Sequence, residues 1–181
     1  MTYFRKAHPS KNRQHGVALI TGLIFLVVLT LIAVTAARMA GLEERMSGNM
    51  RDRSLAVQAA EMALRDAERD IRTRVSGITN FVSACTNGLC YNGPAGNSNG
   101  TNWNTTPVWT LVSLTAAPSV AYGQFTGAGG IAGISAQPRY IVEGMRKTQP
   151  GGGGVFYYRI TARAQGGNPN TVVWLQEVFR P

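Results

Sequence analysis

Cys85 and Cys90 are the residues of this 181-residue chain best placed for covalent chemistry. The stretch between them, Thr-Asn-Gly-Leu, contains an Asn87-Gly88 pair that favours a tight turn, which could bring the two sulfurs within bonding distance. If the segment lies outside the cytoplasm, its expected state is a disulfide closing a small loop. Zinc would need further ligands that the chain does not offer, since both histidines, His8 and His15, lie near the N-terminus. Acid–base chemistry is as poorly served. Beyond Gly16 there is no histidine and a single lysine, Lys147, while Ser47 and Ser54 have no evident activator. Asp52, Glu61, Asp66, Glu68 and Asp70 alternate with Arg51, Arg53, Arg65, Arg69, Arg72 and Arg74 at helical spacing. That pattern reads as a solvated, salt-bridged helix face rather than a poised carboxylate couple, with a DNA- or lipid-binding face as the alternative. Trp103, Trp109 and Trp174 could contact sugars or partner surfaces, but buried anchors are the commoner use of tryptophan in a small β-layer. No enzyme, cofactor or metal site is expected.

The net charge of +9 divides unevenly. Arg5, Lys6, Lys11 and Arg13 fall in the first sixteen residues, and beyond Gly16 there are 14 basic residues against 9 acidic ones. The basic tract is followed at once by Val17–Ala37, a run of 21 residues without a charge, which matches the ~20 residues a helix needs to cross a bilayer. The cationic flank should stay in the cytoplasm and the rest of the chain should lie outside it. A cleavable secretory signal competes, with Val34-Thr35-Ala36 as an approximate cleavage site, but its apolar core normally spans only about 7–15 residues. A plain single-pass anchor competes as well.

The basic leader ending in Gly16 directly against the apolar run resembles the class III signal of type IV pilins and pseudopilins. The resemblance implies cleavage between Gly16 and Val17 by a prepilin peptidase and methylation of Val17. The family's usual residues at the first and fifth mature positions are Phe and Glu, where this chain has Val17 and Thr21. In the family, that Glu is thought to neutralise the N-terminal ammonium of the adjacent subunit. Thr21 therefore fits a subunit with no neighbour above it, at a tip or initiating position.

Past the membrane, 38–76 keeps a helical rhythm, with Met50, Val57, Leu64 and Ile71 seven apart and Met46, Ala60 and Ala67 interleaved. Arg53 and Arg74 fill the second seam position, which argues against a coiled coil and for packing on the protein's own sheet. Gly41 and Gly48 weaken the helix just outside the bilayer. A continuous helix over Val17–Val75 would span about 90 Å. Residues 77–137 turn to Gly, Asn, Ser, Thr and Pro, broken by a candidate strand at Val108–Leu114. The glycines of 127–133 lack the strand-to-helix context of a phosphate loop. Asn99 and Asn104 begin glycosylation sequons that a bacterial chain would not use. The segment 138–181 carries the clearest β signal, with runs Arg139–Met145, Val155–Ala164 and Thr171–Phe179 joined by glycine-rich links as an antiparallel meander. Both faces of the last run carry apolar residues, Val172, Trp174 and Val178 on one and Val173, Leu175 and Phe179 on the other, so both should be covered.

Two stretches make the resemblance specific. LEERMSGNMRDRSLAVQAAEMALRDAE at 42–68 looks like the N-terminal signature of PilX-type minor pilins. PRYIVEG at 138–144 and YRITARAQGGNPNTVVWLQEVF at 158–179 resemble that family's C-terminal sheet. The implied fold is α+β and type IV pilin-like, with a long N-terminal helix packed on a C-terminal antiparallel sheet. The implied function is to prime type IV pilus assembly at or near the tip, in support of twitching motility, adhesion or DNA uptake. The implied partners are other minor pilins, the major pilin, a tip adhesin, the prepilin peptidase and the inner-membrane assembly platform, with nucleic acid an open possibility. The implied location is the bacterial inner membrane, with a periplasmic C-terminal domain, and then the pilus. Two other readings remain: the tip pseudopilin of a type II secretion system, and a membrane-anchored periplasmic binding module.

Overall fold

The computed structural model describes residues 15–77, 80–82, 84–90, 108–148, 151 and 153–181. Residues 1–14 of the expected leader (1–16), the most biased stretch (91–107), Trp103 and both sequons lie outside the described residues. One helix, α1 (His15–Arg74), precedes five strands: β1 (Leu89–Cys90), β2 (Val120–Ala121), β3 (Arg139–Thr148), β4 (Gly154–Gln165) and β5 (Val172–Phe179). The chain divides between Ser47 and Gly48 into two units.

In the first unit α1 is apolar and unpacked, as its sequence requires. Leu19 is 75% and Phe25 69% exposed, and the segment is long and apolar enough to cross a membrane. Each threonine of the run returns its hydroxyl to the helix backbone. Thr21 Oγ1 donates to the carbonyls of Val17 (2.9 Å) and Ala18 (3.1 Å), Thr30 to Val27, and Thr35 to Leu31 and Ile32. None of these hydroxyls needs a partner from lipid.

In the second unit the helix becomes one-sided. Ala56, Ala59, Ala60, Ala63, Leu64, Ala67 and Ile71 are buried, at the three- and four-residue steps of a single stripe. Burial starts later than the sequence pattern suggests, since Met46 and Met50 are 65% and 68% exposed. The stripe is mostly alanine, so the backbones of helix and sheet approach closely and the sheet supplies the bulk. Tyr140, Val142, Tyr158, Ile160, Ala162 and Phe179 complete the main core, and Ala164 and Val173 pack against Ala56, Ala59 and Ala60.

The meander forms as expected, with β3 antiparallel to β4 from Arg139↔Arg163 to Thr148↔Gly154, and β4 antiparallel to β5 from Tyr158↔Phe179 to Gln165↔Val172. The whole sheet, however, is mixed rather than antiparallel. On the other edge of β3, β1 runs parallel to it at Leu89↔Val142 and β2 runs antiparallel at Val120↔Tyr140. A parallel neighbour cannot be joined by a tight hairpin, and β1 and β3 lie far apart in the chain. The candidate strand at Val108–Leu114 is not one: Val108–Thr110 is a 3-10 turn. Val108, Leu114 and Ile141 cluster with Cys85 and Cys90 over the sheet face opposite the helix.

That second layer covers β3 and touches β5 through Trp109, but it leaves much of the face of β5 open. Trp174 is 44% and Val178 57% exposed, and Trp109 is 37% exposed, against the expectation that both faces of the last run are covered and that the tryptophans are buried anchors. The two indoles pack on each other instead, 5.7 Å apart.

Cys85 and Cys90 are disulfide-bonded, and the turn between them uses the Asn87-Gly88 pair with φ of 51° and 75°. Gly88 is required twice over, by its left-handed backbone and because a Cβ there would meet Val120 Cγ2 at 2.5 Å. Gly88→Ala should therefore destabilise the head by about 2 kcal/mol, read as a lower urea midpoint at unchanged slope. An unchanged midpoint would mean that the loop shifts away from β2 at no cost.

Candidate functional site

Two regions hold the residues of interest, the N-terminal end of α1 and the polar hub that holds the head together. At the first, Gly16 and Val17 lie in the opening turn of α1. Val17 is 62% exposed, and a Cβ on Gly16 would meet nothing within 4 Å. The bond between them is not occluded by other described residues. Thr21 follows one turn later with its hydroxyl already satisfied, and Glu43 is the first carboxylate after it, beyond the apolar run. A Cβ on Gly22, Gly41 or Gly48 would likewise meet nothing within 4 Å.

The hub corrects the reading of the helix carboxylates. Asp66 and Asp70 are fully buried on the sheet-facing side of α1, not solvated. Asp66 accepts the Gly123 N–H at 2.8 Å and the Thr126 hydroxyl, which fastens the loop after β2 to the helix. Asp70 accepts both Nε and Nη2 of Arg74 at 2.7 Å and the Tyr140 hydroxyl at 3.1 Å. Arg74 continues outward, donating to the Asn87 carbonyl at 3.2 Å inside the disulfide loop and lying 3.9 Å over the Phe125 ring. The Asp70 carboxylate holds the Arg74 guanidinium above its ordinary value. Burial first, and the Asp70 charge second, push the Tyr140 phenol far up, so it remains a donor. One carboxylate thus ties together the end of α1, β3 and the Cys85–Cys90 loop.

Two further contacts fix the ends of the packed helix. Asp52 Oδ1 accepts the N–H groups of Gly167 (2.6 Å) and Asn168 (3.2 Å) in the β4–β5 turn. The Thr171 hydroxyl, with those two N–H groups, holds the Asp52 carboxyl below its usual range. Gly166 is needed in that turn, since a Cβ there would stand 2.6 Å from the Asp52 carboxylate. At the other end, the Tyr158 hydroxyl donates to the Gly77 carbonyl at 3.0 Å, and burial pushes that phenol up. On the opposite sheet face Glu143 accepts Arg159 Nε at 2.7 Å and Nη2 at 2.6 Å.

These contacts are structural, and among the described residues no group of three or more His, Cys, Asp or Glu could hold a metal ion. The sequence contained a usable signal for the hub, because Asp66 and Asp70 fall four apart among Ala63, Ala67 and Ile71, inside the stripe that must face the sheet.

A bare apolar helix long enough to cross a membrane, continuing into an alanine-faced segment that packs on a C-terminal sheet, defines a class: α+β subunits with a pilin-like fold. A family model described as type IV pilus assembly protein PilX C-term matches residues 86–181, and one described as PilX N-terminal matches residues 15–65. The chain belongs to the PilX family of type IV pilus proteins, and is a minor pilin and a membrane-anchored component of that apparatus. The family is structural, not a known enzyme family. No curated protein and no solved structure matches the chain.

Proposed function

We propose that this minor pilin primes type IV pilus assembly from the inner membrane and remains at or near the pilus tip, after cleavage between Gly16 and Val17 and methylation of Val17. The observation that carries this reading is Thr21. An ammonium in an apolar helix bundle is costly without a counter-charge. A Val17 ammonium can receive a carboxylate from the subunit below, but Thr21 has none to offer to a subunit above, and its hydroxyl is spent on the Val17 and Ala18 carbonyls. Such a subunit can start a filament and cannot extend one. Other minor pilins, the major pilin and a tip adhesin are its partners in this reading, and twitching, adhesion or DNA uptake are the processes it serves. Membership of a pilus family favours this reading over a secretion pseudopilus.

Mass spectrometry of the N-terminus in sheared filaments tests the processing step: methylated Val17 is expected, whereas an N-terminus at Met1 or near Ala37 would remove the basis of the proposal. The position is tested by copy number. Thr21→Glu should raise the number of copies per filament several-fold, as the side chain now supplies the missing counter-charge, and Thr21→Ala should leave it unchanged. Equal copy numbers for both variants would refute the capping role of Thr21.

A further inference from the structure

The last strand, β5, is hydrogen-bonded on one side only. It pairs with β4, and among the described residues no strand lies along its other edge. The register shows which backbone groups are free. The Gly166 N–H donates to the Thr171 carbonyl just beyond the Gln165↔Val172 pair, and hydrogen-bonded pairs alternate along an antiparallel ladder. Val173, Leu175, Glu177 and Phe179 therefore turn their backbone groups toward β4, and Val172, Trp174, Gln176 and Val178 turn theirs outward. An eight-residue edge of this kind is normally blunted by charged residues, proline or a bulge, whereas VVWLQEVF has no proline, pairs without interruption and carries a single charge, Glu177, whose backbone groups face β4.

The two sides of this edge differ in chemistry. Toward the helix, Glu61, Leu64, Arg65 and Glu68 of α1 and Leu175, Gln176 and Glu177 of β5 line a groove of about 440 Å3. Glu177 Oε1 is buried there without a hydrogen-bond partner. Burial first and the facing Glu68 second push the Glu177 carboxyl up, with Arg65 only partly opposing them. Three carboxylates and one guanidinium thus line the groove, with Arg72 held beside it over the Phe179 ring, so the groove carries an excess of negative charge. Toward the other face, Trp174, Trp109 and Val178 present exposed apolar surface beside the same edge.

We infer that β5 accepts an extended strand from a partner protein, one whose side chains alternate between basic residues, set over the Glu61–Glu68–Glu177 groove, and apolar residues, set against Trp174 and Val178. Outward N–H and C=O groups supply the ladder, and the two faces select the side chains. A strand has its side chains on alternate faces, so this partner meets both demands without any change in the head. The surface belongs to the head's own fold, and the inference goes beyond the position of the subunit in a filament and does not depend on it.

The test uses the isotope-labelled full chain in detergent micelles and an acetylated heptapeptide of alternating lysine and valine. Binding should slow amide exchange at Trp174, Gln176 and Val178 by about ten-fold or more, leaving the already bonded Val173 and Leu175 unchanged. A peptide with glutamate in place of lysine, tested on the unaltered protein, should bind about ten-fold or more weakly, and Glu177→Lys should weaken the lysine peptide to a similar degree. Equal affinity for the two peptides, protection without the alternate pattern, protection confined to α1, or no binding of the lysine peptide would each overturn the inference.

Discussion

Asp70→Ala is expected to lower the stability of the head by about 3 kcal/mol, the largest loss from any single truncation of the hub. The carboxylate is fully buried and accepts three hydrogen bonds, two from Arg74 and one from Tyr140. Its removal leaves a half-buried guanidinium without its counter-charge and a buried hydroxyl without its acceptor. The estimate sits at the lower end of the range for a broken buried pair because the Arg74 side chain is 27% exposed and water can reach part of it. Tyr140→Phe should cost only about 1 kcal/mol, since it deletes one neutral donor and leaves the ion pair intact. The two changes share a partner, so the double variant should be less destabilised than the sum of the single ones. Urea unfolding followed by tryptophan fluorescence gives all three values. A loss for Asp70→Ala no greater than that for Tyr140→Phe would show that the ion pair adds nothing net.

On the proposed cleavage between Gly16 and Val17, Gly16→Glu should block processing almost completely, so that the chain accumulates in the membrane with residues 1–16 still attached and disappears from sheared filaments. The site is well suited to this experiment because a side chain at Gly16 meets nothing within 4 Å and glycine is among the weakest helix formers. The substitution does not harm the helix, and retention of residues 1–16 on membrane-inserted chain reports on the peptidase. Intact mass and immunoblotting of membrane and filament fractions separate the two forms. Normal maturation of the variant would place the cleavage site elsewhere.

The elements legible in the sequence were those with one strong local period. The uncharged run after Gly16 reads as a span by length alone, β3 to β5 by alternation and glycine-rich links, and the Cys85–Cys90 loop by its Asn-Gly pair. What stayed hidden depends on partners distant in the chain. Leu89–Cys90 is too short to show a period, and only its alignment along β3 makes it a strand. Asp66 and Asp70 look like surface charges until Gly123, Thr126 and Tyr140, more than fifty residues away, arrive to satisfy them. Val178 and Trp174 look like core until the second layer proves to leave both exposed. For the N-terminal end the limit is different in kind: Gly16, Val17 and Thr21 are legible as a pattern, but the roles proposed for them depend on other proteins, a peptidase and neighbouring subunits.

The fastening of α1 at both ends of its packed stretch has a mechanical meaning. Asp52 holds the β4–β5 turn near the start of that stretch, and Asp70, Arg74 and the Gly77 carbonyl hold β3, the disulfide loop and β4 at its finish. A pull along the helix axis therefore loads both sets of bonds and the alanine-lined contact between them in shear, so they must yield together rather than peel one after another.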